Sequence, residues 1–129
     1  MNILSLDHLV LTVRSIYVTV RFYTTVLGME ARTFGAGRTA LHFGAQKINL
    51  HQADKPVDKN VRHATPGSAD ICLLTDTPIE QVIRELNSKE VEIIEGPVER
   101  MGATTALRSV YFYDPDENLV EVANALPNR

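Results

Sequence analysis

Four side chains far apart in the chain carry donor atoms inside runs that otherwise read as β-strands: His8, Asn49, Asp70 and Glu121. Strand side chains alternate between faces, so each of these points away from the Leu, Ile or Val residues beside it. A carboxylate in such a run is costly to bury unless something cationic meets it. One imidazole, two carboxylates and a neutral amide oxygen make a mixed nitrogen and oxygen set suited to a divalent ion such as Zn²⁺, Ni²⁺, Mn²⁺ or Fe²⁺. The ion would offset the desolvation of the carboxylates and keep positions open for substrate oxygens. Taken singly, His8 reads as a hydrogen-bonded strand histidine, Glu121 as an exposed strand carboxylate and Asp70 as a turn cap. Only a shared frame turns them into a site.

The elements that carry them supply that frame. Residues 6–13 alternate as a strand, with Leu9, Leu11 and Val13 on one face and His8, Val10 and Thr12 on the other. The spacing of Val20, Tyr23 and Leu27 predicts a helix over 16–27, with Ser15 as N-cap and Gly28 as the stop. Strands follow at 29–34, 39–43 and 46–52, the first two joined by the Gly35-Ala36-Gly37 turn. Residues 53–67 turn polar and carry two prolines, which reads as a connecting loop.

The order then repeats. A strand at 70–75 places Asp70, Cys72 and Leu74 on one face. A helix follows, capped by Thr77, opened by Pro78 and carrying Ile79, Val82, Ile83 and Leu86. A strand is expected at 91–94, a long Gly/Pro-bearing loop at 95–105 and a closing hairpin at 107–122 around Asp114-Pro115-Asp116-Glu117-Asn118. Each half therefore reads as strand, helix and three strands: module one at 1–52, the loop at 53–67 and module two at 68–129. Aligning the halves sets His8 on Asp70 and Asn49 on Glu121.

Composition narrows the function classes. The 129 residues suit one domain, 44% hydrophobic and 22% charged, as in ordinary soluble proteins. A net charge of −3 with scattered Lys and Arg gives no footprint for nucleic acid or an anionic membrane. No apolar run approaches a membrane span, and the first residues lack the pattern of a signal peptide, so a cytoplasmic protein is expected. The single cysteine, Cys72, cannot form an internal disulfide and reads as a small apolar filler.

Three stretches carry a resemblance: 6–13 (Leu-Asp-His-Leu-Val-Leu-Thr-Val), Phe22-Tyr23 through Val26-Leu27-Gly28-Met29, and Phe112-Tyr113-Asp114-Pro115-Asp116 through Asn118-Leu119-Val120-Glu121. With the module order they resemble the vicinal oxygen chelate superfamily, the fold of glyoxalases, bleomycin-resistance proteins and dioxygenases. Through Ile48-Asn49-Leu50-His51 and Asp70-Ile71-Cys72-Leu73 the chain is similar to small glyoxalase-domain proteins, including a virulence-associated branch. The resemblance implies an α+β fold of two βαβββ modules, with curved mixed sheets around a shared cleft.

It also implies roles. His8, Asp70 and Glu121 would hold the metal, with Glu121 the catalytic base. Asn49 stands where glyoxalases usually carry Glu, and Asp70 where most metalloenzyme members carry His. Asn49, His51, Arg100, Tyr111 and Tyr113 are the substrate-binding candidates, with Arg100 expected on the module-two loop. His42 and His63 are assigned to the surface. The implied activity is a metal-dependent glyoxalase-like lyase or isomerase acting on a small oxygenated substrate, such as an oxoaldehyde–glutathione hemithioacetal. Two alternatives stay open: a metal-free binding module of bleomycin-resistance type, and fosfomycin-resistance or extradiol dioxygenase chemistry. A homodimer is implied by analogy.

Overall fold

In a computed structural model, which describes residues 1–127, the chain divides into two compact units, Met1–Gly67 and a second that begins at Ser68. The first contains β1 (His8–Val13), α1 (Ile16–Thr25), β2 (Glu30–Phe34), β3 (Arg38–Phe43) and β4 (Gln46–Gln52). The second contains β5 (Asp70–Leu74), α2 (Ile79–Ser88), β6 (Glu95–Met101), β7 (Ala106–Tyr113) and β8 (Leu119–Ala125). The α+β class and the two βαβββ modules expected from the sequence are what the structure has.

Sheet one runs β1-β4-β3-β2 and sheet two β5-β8-β7-β6. In each, the first strand lies parallel to the last and the remaining pairs are antiparallel. The helix occupies the crossover that a parallel pair needs. One face of each sheet is apolar and buried. In module one Leu11, Val13, Leu41, Ile48 and Leu50 are buried, as is Tyr23 of α1. In module two Ile71, Val110, Phe112, Val120 and Val122 are buried, with Ile79, Val82 and Leu86 of α2. Each such side chain contributes about 1.5–3 kcal/mol relative to exposure, so the helix face of each sheet holds its module together.

Helix α1 begins where expected: Ser15 accepts from the Val18 amide at 3.3 Å. It ends in a 3.1 Å bond from the Met29 amide to the Tyr23 carbonyl, with Gly28 at φ +71°. Its buried positions are Thr19 and Tyr23, rather than Val20 or Leu27.

Helix α2 departs from expectation. Thr77 does not cap it, and Pro78 occupies the cap position instead of the first helical one. The Ile79 amide donates to Asn124 Oδ1 of β8 at 2.8 Å, while Asn124 Nδ2 donates to the Thr75 and Thr77 carbonyls. Module one has the counterpart, since Gln52 Oε1 of β4 accepts from the Ile16 amide at 3.1 Å. Gln52 aligns with Asn124 in the frame that sets Asn49 on Glu121, so the repeat extends to how each helix is fastened.

The other correction concerns residues 91–105. No strand forms at 91–94, and the expected loop is largely β6. Gly96 and Pro97 read as loop residues but sit in an irregularity of the β6–β7 pairing between Glu95 and Val98. Gly96 has φ +113°, and a Cβ there would approach the Ser109 carbonyl to 2.5 Å. A glycine is required at that crossing.

Candidate functional site

The sequence frame has a physical counterpart in strand register. In sheet one His8 pairs with Lys47, which sets Asn49 beside Val10, two residues further along. In sheet two Asp70 pairs with Leu119, which sets Glu121 beside Cys72, again two further along. His8 and Asn49 thus hold the same relative places on the open face of sheet one as Asp70 and Glu121 hold on sheet two.

In module one, His8 Nδ1 lies 2.8 Å from Asp7 Oδ2. With the proton on Nδ1, the Nε2 lone pair is free to bind a metal, the arrangement that orients ligating histidines. Asn49 is only 6% exposed, and its Oδ1 is buried without a hydrogen-bond partner. A buried acceptor left unmet is costly. His51, on the same face, is 7% exposed; its Nε2 lies 3.4 Å from an Arg38 nitrogen and its Nδ1 has no partner.

In module two, the turn at 114–118 positions the site residues. Asp114 is buried and accepts from the Asp116 and Asn118 amides, both at 2.9 Å, and from Asn118 Nδ2 at 2.8 Å. Asn118 Oδ1 then accepts from the Ala69 amide at 2.9 Å, which fixes the start of β5 and hence Asp70. Glu121 Oε2 accepts from Ser109 Oγ of β7 at 2.6 Å. Cys72 is exposed beside Glu121, not packed as a filler. Partial burial and the Glu121 carboxylate push its thiol up to about 11.

Arg100 lies on β6 and not on a loop. Its Nη2 meets Glu95 Oε1 at 2.9 Å and its Nε donates to the Tyr111 hydroxyl at 3.1 Å. Arginine has only donors, so the Tyr111 oxygen accepts and its proton is left to point elsewhere. Tyr111 pairs directly with Glu121 across β7 and β8. Burial raises the Tyr111 phenol above its ordinary value, the Arg100 bond opposes this and the Glu121 charge adds to it. Tyr113 shares the face of Tyr111 and is half exposed at 50%.

The structure thus brings Arg100, Tyr111 and Glu121 together and places Asp70 on the same face as Cys72 and Glu121. Among the described residues, no three His, Cys, Asp or Glu side chains converge as a group that could hold a metal ion. By donor type each unit holds groups suited to a divalent ion: the His8 imidazole and the orphaned Asn49 oxygen in the first, the Asp70 and Glu121 carboxylates in the second. Sequence reasoning missed Ser109 and Asn124. A serine in a strand carries no signal of its own, whereas Asn124 could have been found by carrying Gln52 across the repeat.

His42 lies on β3, half-buried, with Nδ1 3.5 Å from an Arg32 nitrogen, and His63 is exposed in the connecting loop. No helix among the described residues is long and apolar enough to cross a membrane.

The chain is similar to the virulence protein STM3117 of Salmonella typhimurium, 52% identical over 118 residues that cover 92% of this chain and 82% of that protein. The crystal structure of that protein superposes with a TM-score of 0.95 at 51% identity, covering 98% of this chain and all of the other. The glyoxalase domain-containing protein RDO1 of Mycosarcoma maydis is 42% identical over 124 residues, 96% of this chain and 70% of RDO1. A lactoylglutathione lyase from Agrobacterium tumefaciens shares the fold at a TM-score of 0.72 and 21% identity, covering 93% of this chain and 92% of that one. The fosfomycin resistance protein FosX of Listeria monocytogenes, solved with Mn(II), shares it at 0.68 and 17%, covering 97% and 93%. The model of the Glyoxalase/Bleomycin resistance protein/Dioxygenase superfamily matches residues 5–122, and the chain, built of two βαβββ modules, belongs to that family.

Proposed function

We propose that the protein is a metal-dependent, glyoxalase-like lyase or isomerase acting on a small oxygenated compound. The observation that carries this reading is the common register of His8 with Asn49 and of Asp70 with Glu121. In this reading His8, Asp70 and Glu121 are the ligands and Asn49 lends its amide oxygen. A divalent ion held by them would polarise adjacent substrate oxygens and acidify the neighbouring C–H.

The chain's own groups supply the rest. Glu121 takes the proton from that carbon and returns it to the next, held in place by Ser109. Arg100 orients the Tyr111 hydroxyl on the wall beside Glu121. The similarity in fold to a lactoylglutathione lyase and to a Mn(II)-bound resistance protein supports testing oxoaldehyde–glutathione hemithioacetals first. A homodimer belongs to the same proposal.

The test is metal content by elemental analysis after exposure to Zn²⁺, Ni²⁺, Mn²⁺ and Fe²⁺, on the native chain and on His8→Ala and Glu121→Ala. Near-stoichiometric metal that both substitutions remove, with turnover of a hemithioacetal, is the expected outcome. No uptake of any ion would sink the lyase reading and leave a metal-free binding module.

A further inference from the structure

We propose that the open face of module one carries an oxyanion subsite, formed by Arg38 and Lys47 around Phe34 with His51 behind them. The subsite would take a carboxylate or phosphate group. It rests on module one alone and names a substrate class for the site proposed above.

Four arginines lie on the described strands. Arg32 meets Glu30, Arg100 meets Glu95 and Arg108 meets Glu80. Among the described residues, Arg38 meets no carboxylate. Its guanidinium lies 5.3 Å from the Phe34 ring centroid, and Lys47 Nζ lies 4.0 Å from the same centroid. Phe34 pairs with Arg38 at the end of the β2–β3 hairpin, whereas Lys47 pairs with His42 nearer its other end. The two cations reach one ring from different rows of the sheet. Each gains a cation–π contact, yet neither meets a carboxylate among the described residues. An anion bound beside that ring would form charge-assisted hydrogen bonds with them.

His51 adds a second, independent observation. Arg38 can only donate, so His51 accepts at Nε2 and its ring proton sits on Nδ1. That N–H is buried with no acceptor. A ligand oxygen adjoining the anionic group would satisfy it. The neighbouring acceptor Asn49 Oδ1 is also unmet and needs a donor, so the face lacks a negative group and a hydroxyl. A small hydroxylated anion has both.

The experiment uses chelator-treated full-length protein, so its outcome does not depend on metal. Inorganic phosphate and, separately, succinate are titrated against ¹⁵N-histidine-labelled protein at constant ionic strength, following the His51 ring signal assigned with His51→Gln. A saturable shift is expected, at least tenfold weaker in Arg38→Gln/Lys47→Gln and in Lys47→Met alone, and unchanged in the ion-paired control Arg32→Gln. The tighter of the two probes names the class. A shift reproduced by chloride, one equally strong in the Arg38 and Lys47 variants, or one weakened as much by Arg32→Gln would overturn the subsite. Loss of metal binding in the earlier test would leave this result untouched.

Discussion

Ser109 Oγ donates to Glu121 Oε2 at 2.6 Å from the adjacent strand, and Ser109 itself is fully buried. The hydroxyl occupies one oxygen of the carboxylate and fixes its rotamer; in the proposed function the other oxygen would serve a metal or a proton. Replacing Ser109 by alanine should weaken metal affinity about tenfold or more, the usual cost of losing such a support. Isothermal titration of Ser109→Ala with the ion preferred by the native chain measures it; unchanged affinity would remove Ser109 from the site.

Asn124 fastens the entry to α2 through three hydrogen bonds, one from the Ile79 amide and two to the Thr75 and Thr77 carbonyls before the helix. Asn124→Ala should lower stability by about 2 kcal/mol, at the upper end for lost caps. Gln52→Ala, which removes the bond from the Ile16 amide and an exposed one to Asp54, should cost about 1 kcal/mol. Urea unfolding of both variants checks the order as well as the size.

The Cys72 thiol is held protonated, its pKa pushed up to about 11 first by burial and then by Glu121. Alkylation by iodoacetamide should therefore be slow at pH 8 despite the exposed position and should rise toward pH 11. Glu121→Gln removes the adjacent negative charge, so the midpoint should move down. Because the folded pKa lies above the ordinary thiol value of 9.0, the unfolded chain loses its proton first. Cys72 therefore costs stability as pH rises from about 9 to 11. A midpoint near 9 in the folded protein would contradict the placement of Cys72 against Glu121.

Phe112 is fully buried on the helix face of sheet two, next along β7 from Tyr111. Phe112→Ala should cost about 3–5 kcal/mol by opening a cavity, while Tyr113→Ala, at a half-exposed position on the open face, should stay within about 1 kcal/mol. Thermal unfolding of the pair tests which face of the sheet is core.

The sequence by itself determined the two modules and the faces of their strands. Period-2 alternation is local, so Leu9, Leu11 and Val13 declared the buried side of β1 and put His8 on the other. The same logic held for Asp70 on β5 and Glu121 on β8, and the repeat put them in one frame. Ser15 and Gly28 announced the ends of α1 because capping chemistry is also local.

What only the tertiary structure decided depends on partners distant in sequence. Strand β6 forms through Gly96 and Pro97 because β7 offers a ladder that local propensity cannot foresee. Helix α2 is capped by Asn124 from another strand, so Thr77 is left without that task. Arg100 became a strand residue clamped between Glu95 and Tyr111. Whether a cation is free or paired likewise depends on which carboxylate folding brings beside it, and Arg38 stands apart from Arg32 for that reason alone.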